Sequence, residues 1–171
     1  MGRRRSPLQW AGELNTESRP AAGGQPGAAV PRILSIFFLG IAMTDHEFIR
    51  CFEGDALPGN AFHHADHVRL AFAYLSQYPV LQALERFSGA LKRFATARGK
   101  PQLYHETITH AYFFLIRERM ARDGAMEWEE FAERNADLMV WKGGVLEHYY
   151  RDATLWSDLA RAVFVFPDKC L

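Results

Sequence analysis

The feature that most constrains this chain is a succession of apolar stripes at helical spacing, each closed by a short breaker. From Ala61 to Gln77 one face carries Ala61, Ala65, Val68, Phe72 and Leu75, and Tyr78-Pro79 ends it. From Val80 to Arg98 the stripe is Leu84, Phe87, Leu91 and Phe94, and Gly99-Lys100-Pro101 closes it, with the glycine as C-cap. From Tyr104 to Arg122 it is Tyr104, Ile108, Ala111 and Leu115, stopped at Asp123-Gly124. Shorter helices are expected at Glu127 to Arg134, Ala136 to Trp141, Val145 to Arg151 and Ser157 to Phe164, although Val163 to Phe166 could instead be extended. No stretch alternates well enough for a sheet. Links of a few residues between long amphipathic helices argue for antiparallel neighbours. The expectation is an all-α, single-domain bundle of about five or six helices.

Where that domain begins is also readable. Residues 1–42 hold 6 of the 13 glycines and 4 of the 8 prolines. Such a segment buries too little apolar surface to offset its ordering entropy, so 1–42 is expected to be a disordered or non-native N-terminal extension. The helical domain is then 43–171. The sequence Thr44-x-x-Glu47 is a capping box, and Phe48, Ile49 and Phe52 follow at helical spacing up to Gly54. The apolar run Ile33 to Ala42 is too short to span a membrane, and Gly40 and Ala42 leave a secretory signal as an alternative. A cytoplasmic location is expected unless that run is a signal, which would mean export.

Composition excludes several function classes. Lys and Arg total 20, as do Asp and Glu, and residues 43–171 carry 15 basic against 18 acidic side chains. A slightly acidic domain without a basic stripe is a poor nucleic-acid binder. Two cysteines, Cys51 and Cys170, make neither a disulfide framework nor a four-cysteine zinc site. The expected partners are a small-molecule substrate and a homodimer mate, with neither membrane nor nucleic acid.

Seven histidines carry the chemistry, and three fall in Phe62-His63-His64-Ala65-Asp66-His67. At about 100° per residue, His64 lies on the apolar face and His67 at its edge. The second cluster is Tyr104-His105-Glu106-Thr107-Ile108-Thr109-His110, in which His105 sits at the rim of the apolar face. Three imidazoles from two helices can hold Zn or Fe with coordination positions left for water or substrate. His64, His67 and His105 are therefore the candidate metal ligands for a divalent transition metal, Fe or Zn. Tyr104, Thr107 and Thr109 are placed to fix an imidazole tautomer, and Tyr104 and Thr107 are the candidate catalytic groups. The expected function is a small metal-dependent enzyme acting on a small molecule, by hydrolytic, lyase or oxidative chemistry. The alternative is a helical protein that binds a metal or a ligand without turnover; without an ion, the histidines would instead serve an acid/base or ligand pocket.

The segments Phe62-x-His64-x-x-His67-Val-Arg-Leu-Ala, Tyr104-His105-Glu-Thr107-Ile-Thr109, Asn135-x-Asp137-Leu, Trp141-Lys142, Tyr149-Tyr150 and Phe164-Val-x-Pro167-Asp168 resemble an uncharacterised family of small all-helical bacterial proteins. The resemblance spans residues 45 to 168 and brings no activity with it. DinB-like bundles also use three histidines, but place a lone histidine before an H-x-x-x-H pair, the reverse of the order here. HD phosphohydrolases need a His-Asp dyad, and this chain has no His-Asp pair.

Overall fold

A computed structural model describes residues 43–54 and 62–169. The extension 1–42 and the proposed helix start around Ala61 lie outside the described residues. Within them the chain is all-α, with seven helices joined by short 3-10 turns and no strand. In order these are α1 (Asp45–Glu53), α2 (His64–Gln77), α3 (Val80–Ala97), α4 (Glu106–Asp123), α5 (Trp128–Arg134), α6 (Asp152–Leu155) and α7 (Asp158–Ala162). None of the described helices is long and apolar enough to cross a membrane.

The capping signals act as written in the sequence. Glu47 Oε2 accepts from the Thr44 backbone N–H at 2.9 Å, and Thr44 Oγ1 accepts from Glu47 N–H at 3.3 Å. At the end of α3, Gly99 takes a φ of +66°. There Lys100 N–H donates to Ala95 O and Gly99 N–H to Thr96 O, both at 2.9 Å, which satisfies the last carbonyls.

Helix α2 is the central member, packed on α1, α3 and α4. Phe52, Phe62 and Phe94 form one aromatic cluster, with ring centroids 4.8 to 5.0 Å apart. At the other end Phe72 meets Phe131 at 4.9 Å and Trp128 at 5.6 Å. Burying large side chains of this kind contributes roughly 1.5–3 kcal/mol each, the main favourable term in a helical domain this small.

Several expected helices are shorter than their patterns. Ala136 to Trp141 is a single 3-10 turn, Ala136–Met139, and Val145 to Arg151 is another, Val145–His148. Helix α7 ends at Ala162, Val163 is extended at φ −137°, ψ 159°, and Phe164 to Phe166 lie outside any helix. Thr107 is the reason. Its hydroxyl, on α4, donates to Val163 O at 2.8 Å and accepts from Val165 N–H at 3.0 Å. Asp168 then accepts from Arg151 N–H at 2.8 Å and from Thr154 Oγ1 at 2.5 Å, which seats the tail against α6.

Candidate functional site

The histidine pair sits in the first turn of α2. His63 is the N-cap residue, and Asp66 Oδ2 accepts its backbone N–H at 2.7 Å. That fixes the helix start one residue before His64. His64 and His67 then project from the opening turn into a cavity enclosed by α2, α3 and α4. The cavity encloses about 60 Å³ and opens to solvent at its mouth. Val68 and Ala71 of α2, Phe87, Leu91 and Phe94 of α3, and Ile108 and Tyr112 of α4 make its lining predominantly apolar.

The polar groups in that lining are few. His64 Nε2–H donates to Leu138 O at 2.9 Å, which fixes the neutral tautomer with the proton on Nε2. Its ring lies edge-on to Tyr112 at 4.8 Å and tilted against Trp141 at 5.2 Å. His67 stands edge-on to Phe62 at 4.4 Å. Burial lowers the pKa of His64 to about 4, opposed by the bond to Leu138. Burial, then the neighbouring His64 and His63, lowers His67 to about 3. Both imidazoles are therefore neutral near pH 7.

Tyr104 brings the third polar group. Its hydroxyl is buried and makes no hydrogen bond of good geometry, although Glu106, Thr109 and Ser88 all lie close enough to act on it. Burial and then Glu106 raise its pKa above the ordinary tyrosine range. An unpaired buried hydroxyl costs about 1–3 kcal/mol. Half-buried Arg98 and Lys100 complete the lining, and no carboxylate is among the described residues that form it.

His105 is elsewhere. It is not the rim residue of a helix but the N-cap of α4, with extended backbone at φ −139°, ψ 109°. Its Nδ1 accepts from Ile108 N–H at 3.3 Å, and its Nε2–H donates to Leu155 O at 2.9 Å. Both ring nitrogens are engaged, and the ring stands edge-on to Trp156 at 6.0 Å. Burial, then Arg161, lowers its pKa to about 4. The structure thus brings His64 and His67 together with Tyr104 on one cavity and leaves His105 outside it. Among the described residues no group of three or more His, Cys, Asp or Glu is placed to hold a metal ion. Thr107, the other candidate catalytic residue, is the buried tie to the C-terminal tail. Asp137 pairs with Arg119 at 3.0 Å.

Tyr112 and Arg98 line the cavity without having been singled out in the sequence, and Phe87, expected only as part of an apolar stripe, joins them. Tyr112 had a usable signal, since it lies four residues after Ile108 on the inward face of α4. No family model, curated protein or solved structure matches this chain.

Proposed function

We propose that the cavity between α2, α3 and α4 binds a small, predominantly apolar molecule whose polar end meets the Tyr104 hydroxyl and the imidazoles of His64 and His67. One observation carries this reading. A buried hydroxyl without a well-aligned partner and two neutral imidazoles share a predominantly apolar cavity with Arg98 and Lys100 also in its lining, a few polar groups on apolar walls as in a small-molecule site. A ligand with one acceptor or hydroxyl would relieve the cost of the orphan Tyr104 group, and its apolar body would fill the rest.

Binding is favoured over turnover by the histidines' basicity. A general base works best with a pKa near the working pH, and His67 at about 3 is far below it. Binding is also favoured over the three-histidine metal enzyme. For His105 to join His64 and His67 it would have to leave both Leu155 O and Ile108 N–H unpaired in the interior.

The test is a fluorescence titration with N-phenyl-1-naphthylamine, a neutral apolar dye, on the parent and on Ala95→Trp. Ala95 is half-buried on the cavity wall, so an indole there occupies the space without overpacking the core. Saturable one-site binding by the parent, weakened tenfold or more by Ala95→Trp, is expected. Absence of saturable binding, or equal binding by the plugged variant, would overturn the reading.

A further inference from the structure

A second cavity backs onto the first. Ile108, Tyr112 and Trp141 form part of the wall of both, and beyond them the lining changes character. Trp156, Glu147, Asp152 and Lys142 now contribute. We propose that this second cavity recognises a small organic cation of the quaternary or methylated ammonium class.

The aromatic geometry comes first. Trp141 and Trp156 stand nearly perpendicular, at 77°, with ring centroids 6.3 Å apart. Tyr112 lies 6.5 Å from Trp141 at 27°. Two indoles at a right angle with a phenol beside them can surround an alkylammonium group, which is attracted to ring faces within about 6 Å of their centroids. A purely apolar guest gains nothing from that arrangement which the first cavity does not offer better.

The rim supplies charge. Glu147 and Asp152 are both exposed on it. Glu147 Oε1 accepts from Gly143 N–H at 2.9 Å, a neutral donor that orients the carboxylate without cancelling its charge. Lys142 is exposed on the same rim, and its flexible stem lets the ammonium remain in water. Lys169 Nζ is held on the Glu147 backbone carbonyl at 2.5 Å. Tyr112 reports the local field, since after burial it is Asp137 and Glu147 that raise its pKa.

The walls are fixed before any ligand arrives. Trp141 leads a turn in which Gly143 has a φ of +67°, and a Cβ on Gly144 would fall 2.3 Å from Val140 O and 3.1 Å from the Tyr112 hydroxyl. That turn accepts only glycine at these positions, and it sets Trp141 beside Tyr112. The Trp156 backbone N–H donates to Asp152 O at 3.0 Å, and its ring makes an edge contact with His105.

The experiment is an NMR titration of the tryptophan indole N–H resonances in the full chain. The probes are choline and 3,3-dimethyl-1-butanol, its uncharged isostere. Choline is expected to shift the Trp141 and Trp156 signals saturably while leaving Trp128 in place, and the isostere to bind at least tenfold more weakly. Trp156→Leu is expected to lose tenfold or more of the choline affinity. Glu147→Gln with Asp152→Asn, two exposed changes that leave the fold intact, is expected to lose about threefold to tenfold, with a shallower salt dependence. Equal binding of the isostere, uniform shifts of all tryptophans, no shift with choline, or an unchanged affinity in the double variant would each overturn the proposal. None of these outcomes depends on the ligand of the first cavity.

Discussion

Replacing His105 with alanine separates a structural histidine from a metal ligand. The substitution removes the acceptor for Ile108 N–H and with it the α4 cap, which costs about 1 kcal/mol. It strips Leu155 O of its donor inside the protein, at about 1–3 kcal/mol. It also removes an imidazole that is only 3% exposed and packed against Trp156, which adds about 1 kcal/mol of lost contact. The expected loss is about 3–5 kcal/mol, a large part of the roughly 5–15 kcal/mol that holds a domain of this kind together. His105→Asn keeps a competent N-cap and should recover about 1 kcal/mol of it. Urea unfolding followed by far-UV circular dichroism measures both variants. A loss under about 1 kcal/mol for His105→Ala would refute the structural assignment and return His105 to the candidate ligands.

Other consequences follow from the same geometry. Histidines 64, 67 and 105 have folded pKa values near 4, 3 and 4 against an ordinary 6.5, so the unfolded chain binds more protons as the pH falls through 6.5. Stability is complete above that value and should drop by about 2 kcal/mol per histidine near pH 5; urea midpoints that match at pH 7 and pH 5 would contradict this. Thr107→Val keeps the shape of the residue but orphans Val163 O and Val165 N–H. It should cost about 2–4 kcal/mol and loosen the C-terminal tail, read as faster amide exchange at Val165. Tyr104→Phe deletes a hydroxyl that has no well-aligned partner, so calorimetry should find stability unchanged or raised by about 1 kcal/mol while affinity for a hydroxyl-bearing ligand such as 2-naphthol falls.

Local signals explain what was legible in the sequence. The Thr44/Glu47 box, the α3 stripe and the Gly99 stop each involve residues within a few positions of one another, so spacing alone placed α1 and α3 to within a residue. His64 and His67 were legible as a converging pair for the same reason. The misreadings come from partners far along the chain. His105 keeps the phase of the α4 stripe although its backbone is extended, and its second partner, Leu155, lies 50 residues on. Thr107 looked like chemistry because its partner in the tail is 56 residues away. The turns Ala136–Met139 and Val145–His148 are four residues each, too short for a period to show. The sequence could not reveal that the cavity is closed by Tyr112 and Phe87, because that depends on how α3 and α4 meet across α2.

The central claim is that the cavity beside His64 and His67 takes an apolar molecule. It is tested most directly by intermolecular nuclear Overhauser effects from 2-naphthol to the isotope-labelled protein. The account predicts contacts from the naphthalene protons to the methyls of Val68, Leu91 and Ile108 and to the His67 ring. Contacts confined to surface methyls such as those of Leu81 and Leu159, with none to Val68 or Leu91, would contradict it.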